Sequence, residues 1–130
     1  MPSSKKSSDG DQKVARGHKY EEQAARFYQQ SGFVVLDRNW RASHKEIDLI
    51  VRKDDLIVFV EVKSSRTNKF GHPVERVDKT KVKNLTEAAQ RYLIDKGIEG
   101  CDFRFDVVTF INDQLEHFPG AFDALDESTS

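Results

Sequence analysis

Apolar residues recur at helical spacing from about His18 to Ser31, where Tyr20, Ala24, Phe27 and Tyr28 share one face. Gly32 follows where such a helix would stop. The pattern then changes period. Phe33 to Arg41 carries the β-branched, apolar run FVVL, and Lys45 to Lys53 and Leu56 to Lys63 read as two further strands around the polar pair Asp54-Asp55. Ser64 to Pro73 is a polar loop with Gly71 and Pro73. A second helix is predicted from Asp78, a good N-cap residue, through Val82, Leu85, Ala89, Tyr92 and Leu93 to near Gly97. Phe103 to Ile111 alternates almost strictly and reads as a strand, with Leu115 to Phe118 as a short edge strand. The order α-β-β-β-α-β, with strands joined by tight turns, predicts an α/β domain: a mixed or antiparallel sheet flanked by helices. Residues 1–12 and 126–130 are polar and lack an apolar pattern, so they read as disordered tails around one domain over 13–125.

Register carries the first chemical inference. If Asp54-Asp55 is a two-residue hairpin turn, Lys53 faces Leu56, and Val51–Val58, Leu49–Val60 and Ile47–Val62 form a wholly apolar face that must sit on a core. The other face carries Ile50–Phe59, then Asp48–Glu61, then Glu46–Lys63. Opposite residues have Cβ atoms about 4.5–5.5 Å apart, so two carboxylates would stand side by side, which is destabilising without a proton or cation between them. Mg²⁺, or Mn²⁺, suits such an oxygen site together with water and a substrate phosphate. Lys63 would assist an attacking water or stabilise charge on a phosphate. Asp48, Glu61 and Lys63 are thus the parts of metal-assisted phosphodiester hydrolysis. The competing reading is an ordinary Glu46–Lys63 ion pair beside two solvent-facing acids.

Composition narrows the setting. The chain has 130 residues, 37% hydrophobic and 33% charged, which fits one small domain with a large wetted surface. No run approaches the ~20 apolar residues that span a bilayer, and the start, MPSSKKSSDG, has no apolar signal region. With one cysteine, Cys101, neither an internal disulfide nor a cysteine metal cluster can form. A cytoplasmic location is the expectation.

The net charge of −1 hides an asymmetry. Residues 113–130 hold five acids and no lysine or arginine, leaving 21 basic against 17 acidic residues over 1–112. Within 61–83 seven basic residues face three acidic ones, a band compatible with a polyanion partner. Lys79, Lys81 and Lys83 fall in the first turns of the second helix, where cations oppose the macrodipole and a docked phosphate would offset the conflict. Arg104 and Asp106 share the face of their strand opposite Phe103, Phe105 and Val107; they read chiefly as a structural ion pair that would also orient a ligating carboxylate. Glu46 would have a similar supporting place. His18, His44, His72 and His117 have no metal-ligand spacing, and Trp40, Phe59 and Phe105 read as core.

Several segments together resemble a known series: Gly17…Glu21, Arg38-Asn39-Trp40-Arg41, Glu46-Ile47-Asp48-Leu49-Ile50, Val58-Phe59-Val60-Glu61-Val62-Lys63, Phe70-Gly71, Lys81 and Arg104-Phe105-Asp106-Val107. Over about residues 13–122 they resemble the YraN-like family of small uncharacterised bacterial proteins, which is itself similar to the PD-(D/E)xK superfamily of nucleases. The resemblance implies a restriction-endonuclease-like core. It matches Asp48, Glu61 and Lys63 to the D…ExK motif, and Glu21 to the place where many such nucleases add an acidic group. The expected function is a Mg²⁺-dependent, endonuclease-like protein hydrolysing DNA. Asp48 and Glu61 would hold the metal with the Val62 carbonyl and Glu21, and Arg66, Lys79, Lys81 and Lys83 would meet the phosphate backbone. The alternative is a non-catalytic nucleic-acid-binding or adaptor protein with the same fold. A homodimer is compatible with an enzyme that cuts two strands.

Overall fold

The computed structural model describes residues 9–43, 45–66 and 79–122. Seven elements follow in order: α1 (Asp9–Gln30), β1 (Val34–Ala42), β2 (Lys45–Lys53), β3 (Leu56–Ser65), α2 (Lys79–Asp95), β4 (Asp102–Ile111) and β5 (Gln114–Phe122). The strands form one sheet in the order β1-β2-β3-β4-β5. Every neighbouring pair is antiparallel except β3 and β4, which run parallel through the crossover that contains α2. A mixed sheet flanked by two helices is consistent with a restriction-endonuclease-like core. Among the described residues, no helix is long and apolar enough to cross a membrane.

Both helices end by the same local chemistry. At α1, Gly32 N–H donates to Gln29 O and Phe33 N–H to Tyr28 O; at α2, Gly97 donates to Ile94 O and Ile98 to Leu93 O. This double closure needs a left-handed residue after the helix, and Gly32 (φ 93°) and Gly97 (φ 66°) supply it. The β2–β3 hairpin turns on Asp54-Asp55 with Asp54 at φ 55°, and pairs Lys53 with Leu56 as the sequence predicts.

The sheet is covered on both faces. Leu49, Val51, Val58, Val60, Val108 and Phe110 pack beneath Ala24, Ala25 and Tyr28 of α1. Residues of the opposite parity, Ile50, Ile57, Phe59 and Phe105, pack beneath Leu85, Ala88, Ala89 and Tyr92 of α2. This bears out one expectation and corrects another. The second face of the β2–β3 pair is apolar in its middle and charged at one end, as the sequence predicts. Ile47 belongs with the α2 layer rather than with Leu49. On β1, its ladder partner Trp40 packs there too, against Tyr92, next to Asn39 in the left-handed region (φ 51°).

Other boundaries also differ. Helix α1 starts at Asp9, so residues 9–12 belong to it rather than to a tail; residues 1–8 and 126–130, Asp78 and 67–73 of the polar loop lie outside the described residues. Strand β5 spans nine residues instead of four. Its Pro119 is tolerated because β5 is an edge strand. The β4–β5 register shifts between Phe105↔Phe122 and Val107↔Phe118, and there the Gly120 N–H donates at 3.0 Å to the side chain of Asp106.

Candidate active site at the end of the β2–β3 ladder

The β2–β3 ladder runs from Lys53↔Leu56 to Leu49↔Val60 in the register read from the sequence. At the next position the backbone pairing gives way to a side chain: Val62 N–H donates to Asp48 Oδ2 at 2.8 Å. The two strands therefore part where the acids begin, and a cleft of about 210 Å³ opens, lined by Lys45, Glu46, Asp48, Glu61, Lys81, Asn84 and Leu85. Strands β2 and β3 supply the carboxylates, and the first turns of α2 supply Lys81 and Asn84.

Asp48 and Glu61 converge here, and Glu61 is only 7% exposed. Burial is the largest influence on Asp48; with the charges of Glu61, Glu21 and Glu46 it pushes the Asp48 carboxyl up to about 8, against the lowering effect of the Val62 N–H. Two ammonium groups reach one oxygen of the partner acid: Lys81 Nζ lies 3.0 Å and Lys63 Nζ 3.7 Å from Glu61 Oε2. Burial disfavours the Lys81 ammonium, but the charge and hydrogen bond of Glu61, with the charges of Asp48 and Glu46, outweigh it and raise its pKa. The macrodipole conflict noted for Lys81 is thus met by a carboxylate from the sheet.

The other candidates divide. Glu46 lines the cleft but pairs with Arg41 at 3.6 Å, so the Glu46–Lys63 pair is not formed. Glu21, on α1, is near enough for its charge to act on Asp48. Among the described residues, however, no three His, Cys, Asp or Glu side chains gather closely enough to hold an ion, so Glu21 does not complete a ligand set with the pair. Lys79 and Lys83 are exposed on α2. Arg66 lines a separate hollow with Lys19, Tyr20, Ser64, Ser65, Asn112 and Asp113. His44 and His72 lie outside the described residues.

Arg104 and Asp106 do not reach the cleft carboxylates. Asp106 is fully buried on the α1 side of β4, opposite to its expected placement on a non-core face. Arg104 Nε and Nη2 donate to it at 2.7 and 2.9 Å, Tyr28 Oη at 2.7 Å and Gly120 N–H at 3.0 Å, while His117 Nε2 lies 2.8 Å away. Burial alone would raise the Asp106 pKa, but these hydrogen bonds hold it below the usual carboxylate range. The pair pins β5 and α1 to β4 and is structural.

The cleft fits a hard divalent ion in part. Its donors are carboxyl oxygens, and burial, followed by the neighbouring charges of Glu61, Glu21 and Glu46, raises the Asp48 carboxyl. Two carboxylates suffice for Mg²⁺, which usually keeps several waters and shares a phosphate. Lys81 and Asn84 are the polar cleft residues that sequence reasoning did not bring to these acids. The sequence points Lys81 only to phosphate, and Lys45, at the cleft's edge, pairs with Glu87 of α2 at 3.3 Å.

Comparison with known proteins bears on identity. A profile described as uncharacterised protein family UPF0102 matches residues 20–110. A UPF0102 protein of Chloroherpeton thalassium is 45% identical over 101 residues, covering 78% of each chain. One from a Sulfurihydrogenibium species is 37% identical over 110 residues, 85% of this chain and 96% of its own. Another from Myxococcus xanthus is 39% identical over 112 residues, 83% of this chain and 89% of its own. The match runs from Tyr20 within α1 to Phe110 in β4 and contains every residue of the cleft; the chain belongs to uncharacterised protein family UPF0102, the YraN-like family its motifs resemble.

Proposed function

We propose that this protein is a metal-dependent, endonuclease-like protein that hydrolyses DNA phosphodiester bonds in the cytoplasm. The observation that supports this reading is the meeting of Asp48 and Glu61, from adjacent strands, in a polar cleft with the Lys63 ammonium 3.7 Å from Glu61. Asp48 and Glu61 would hold Mg²⁺ or Mn²⁺, with the Val62 carbonyl as a further ligand and Glu21 as an accessory negative charge. When bound, such an ion supplies charge neutralisation at the phosphate and activation of water. Lys63 positions the attacking water and shields the developing charge. Exposed Lys79 and Lys83, with Arg66, would meet the phosphate backbone. A homodimer would allow both strands of a duplex to be cut.

The test is cleavage of single-stranded, duplex and branched DNA with and without Mg²⁺ or Mn²⁺, comparing wild type with Lys63→Ala. Metal-dependent nicking by wild type and its loss in Lys63→Ala support the reading; equal nicking by both proteins overturns it. One observation favours a second reading. Lys81 and Lys63 already neutralise Glu61, as would suit a nuclease-like fold that binds nucleic acid, or acts as an adaptor, without cutting. Binding that survives Lys63→Ala, with no cleavage by either protein, selects it.

A further inference from the structure

Two lysines share one oxygen of Glu61, and they arrive by different routes. Lys63 lies two residues along the same strand, held in the β3–β4 ladder opposite Thr109. Lys81 comes from another element, the first turn of α2, and its side chain is 40% exposed although its ammonium makes the closer contact, 3.0 against 3.7 Å. A lysine on four methylenes can leave such a contact without moving its backbone.

Glu61 is buried, and a buried carboxylate needs a compensating cation. In the structure described, that cation is chiefly Lys81. A divalent ion ligated by the same oxygen and an ammonium at contact distance from it would repel each other strongly in so poorly solvated a place. Lys63 makes the longer contact, 3.7 Å, from a backbone held in the β3–β4 ladder.

We propose that Lys81 is the internal counter-ion of the carboxylate pair and is exchanged for the divalent cation. Ion binding between Asp48 and Glu61 displaces the Lys81 ammonium from Glu61 Oε2, and Lys81, at the N-terminal end of α2, turns to a substrate phosphate. The proposal rests on the metal reading above and adds an order to it: the metal's arrival is what makes the phosphate-binding lysine available. It also gives Lys81 a role distinct from that of the exposed Lys79 and Lys83.

The experiment has two arms on the full chain. In the first, wild-type protein is pulse-acylated with acetic anhydride with and without saturating Mg²⁺, and each lysine is quantified by mass spectrometry. Lys81 labelling is expected to rise several-fold with Mg²⁺, while Lys79 and Lys83 stay constant. In the second, Mn²⁺ binding is measured by calorimetry on wild type, Lys81→Met and Lys79→Met. Lys81→Met is expected to bind about tenfold more tightly, a typical size for coupling between two sites, and Lys79→Met no more than about twofold. Unchanged Lys81 labelling in a protein that binds Mg²⁺, or equal tightening in Lys81→Met and Lys79→Met, overturns the exchange and leaves the metal reading standing. Absence of Mn²⁺ binding to both wild type and Lys81→Met overturns both. The labelling arm needs no variant and is unaffected by any folding defect.

Discussion

The Val62 N–H donates to Asp48 Oδ2 at 2.8 Å, so a side chain of β2 continues the ladder where its backbone no longer pairs with β3. This bond fixes the Asp48 carboxyl between strands while Glu61 presses on it electrostatically. Asp48→Asn keeps an acceptor for Val62 and removes the charge. Asp48 is raised in the folded protein to about 8, well above its unfolded value of about 3.9. Its contribution to stability is therefore fully present below about pH 4 and is lost as pH rises through about 8. Asp48→Asn is expected to flatten stability across that window and to be more stable than wild type at pH 8, by on the order of 1–3 kcal/mol. Urea unfolding of both proteins at pH 5 and pH 8.5 checks this; the same slope in both would refute it.

A divalent ion must compete with the proton on Asp48. Mn²⁺ binding to wild type should therefore weaken by up to about tenfold per pH unit below 8, with proton release on binding. Calorimetry in buffers of different ionisation enthalpy measures the protons, and pH-independent binding would place the ion elsewhere.

Lys63→Ala tests the chemistry more than the fold. Glu61 keeps Lys81 at 3.0 Å, so a buried carboxylate is not stranded. Nicking should fall by roughly 10²–10⁴-fold, as for loss of a group assisting proton transfer, while the thermal midpoint moves little. A large drop in the midpoint would show Lys63 to be a structural cation.

Asp106 predicts the converse. Removing its charge strands Arg104 and leaves the Tyr28 hydroxyl and Gly120 N–H with a poorer partner. Asp106→Asn should cost about 3–5 kcal/mol, as for one side of a buried ion pair, and Tyr28→Phe about 1–2 kcal/mol. Because its folded pKa is lowered, the stability Asp106 contributes is present above the unfolded value and is lost as pH falls through the folded one. Mn²⁺ affinity at the cleft should stay unchanged in a folded Tyr28→Phe.

The lysines of α2 should appear in salt dependence. If Lys79 and Lys83 contact backbone phosphates, their double substitution by alanine should reduce the slope of log affinity for DNA against log salt by nearly two, uniformly across sequences. An unchanged slope places the nucleic acid on another face.

Much of the architecture was legible because its signals are local. The Asp54-Asp55 turn and the alternation around it set the β2–β3 register, and that register alone sends Asp48 and Glu61 toward one place. Gly32 and Gly97 mark both helix ends because only their backbone freedom closes the final turn there. What escaped depends on distant partners. The Lys81–Glu61 contact requires knowing where the crossover lays α2. Alternation with Phe105 and Val107 points Asp106 outward only if β4 has one core face, whereas β4 is buried on both. The length of β5 was hidden by Pro119-Gly120, a pair that punctuates most strands but here forms a bulge answered by Asp106.

The parallel pairing of β3 with β4 has a consequence for biosynthesis. Residues 56–65 pair with β2 on one side but find their second partner only in 102–111, so a ribosome must release most of the chain before this central strand is flanked on both sides. Until then its apolar edge stands open to other nascent chains, and Glu61 cannot acquire its buried surroundings. Any reactivity of the cleft is therefore withheld from a half-made polypeptide, and truncation before residue 102 should yield insoluble material rather than a weakened catalyst.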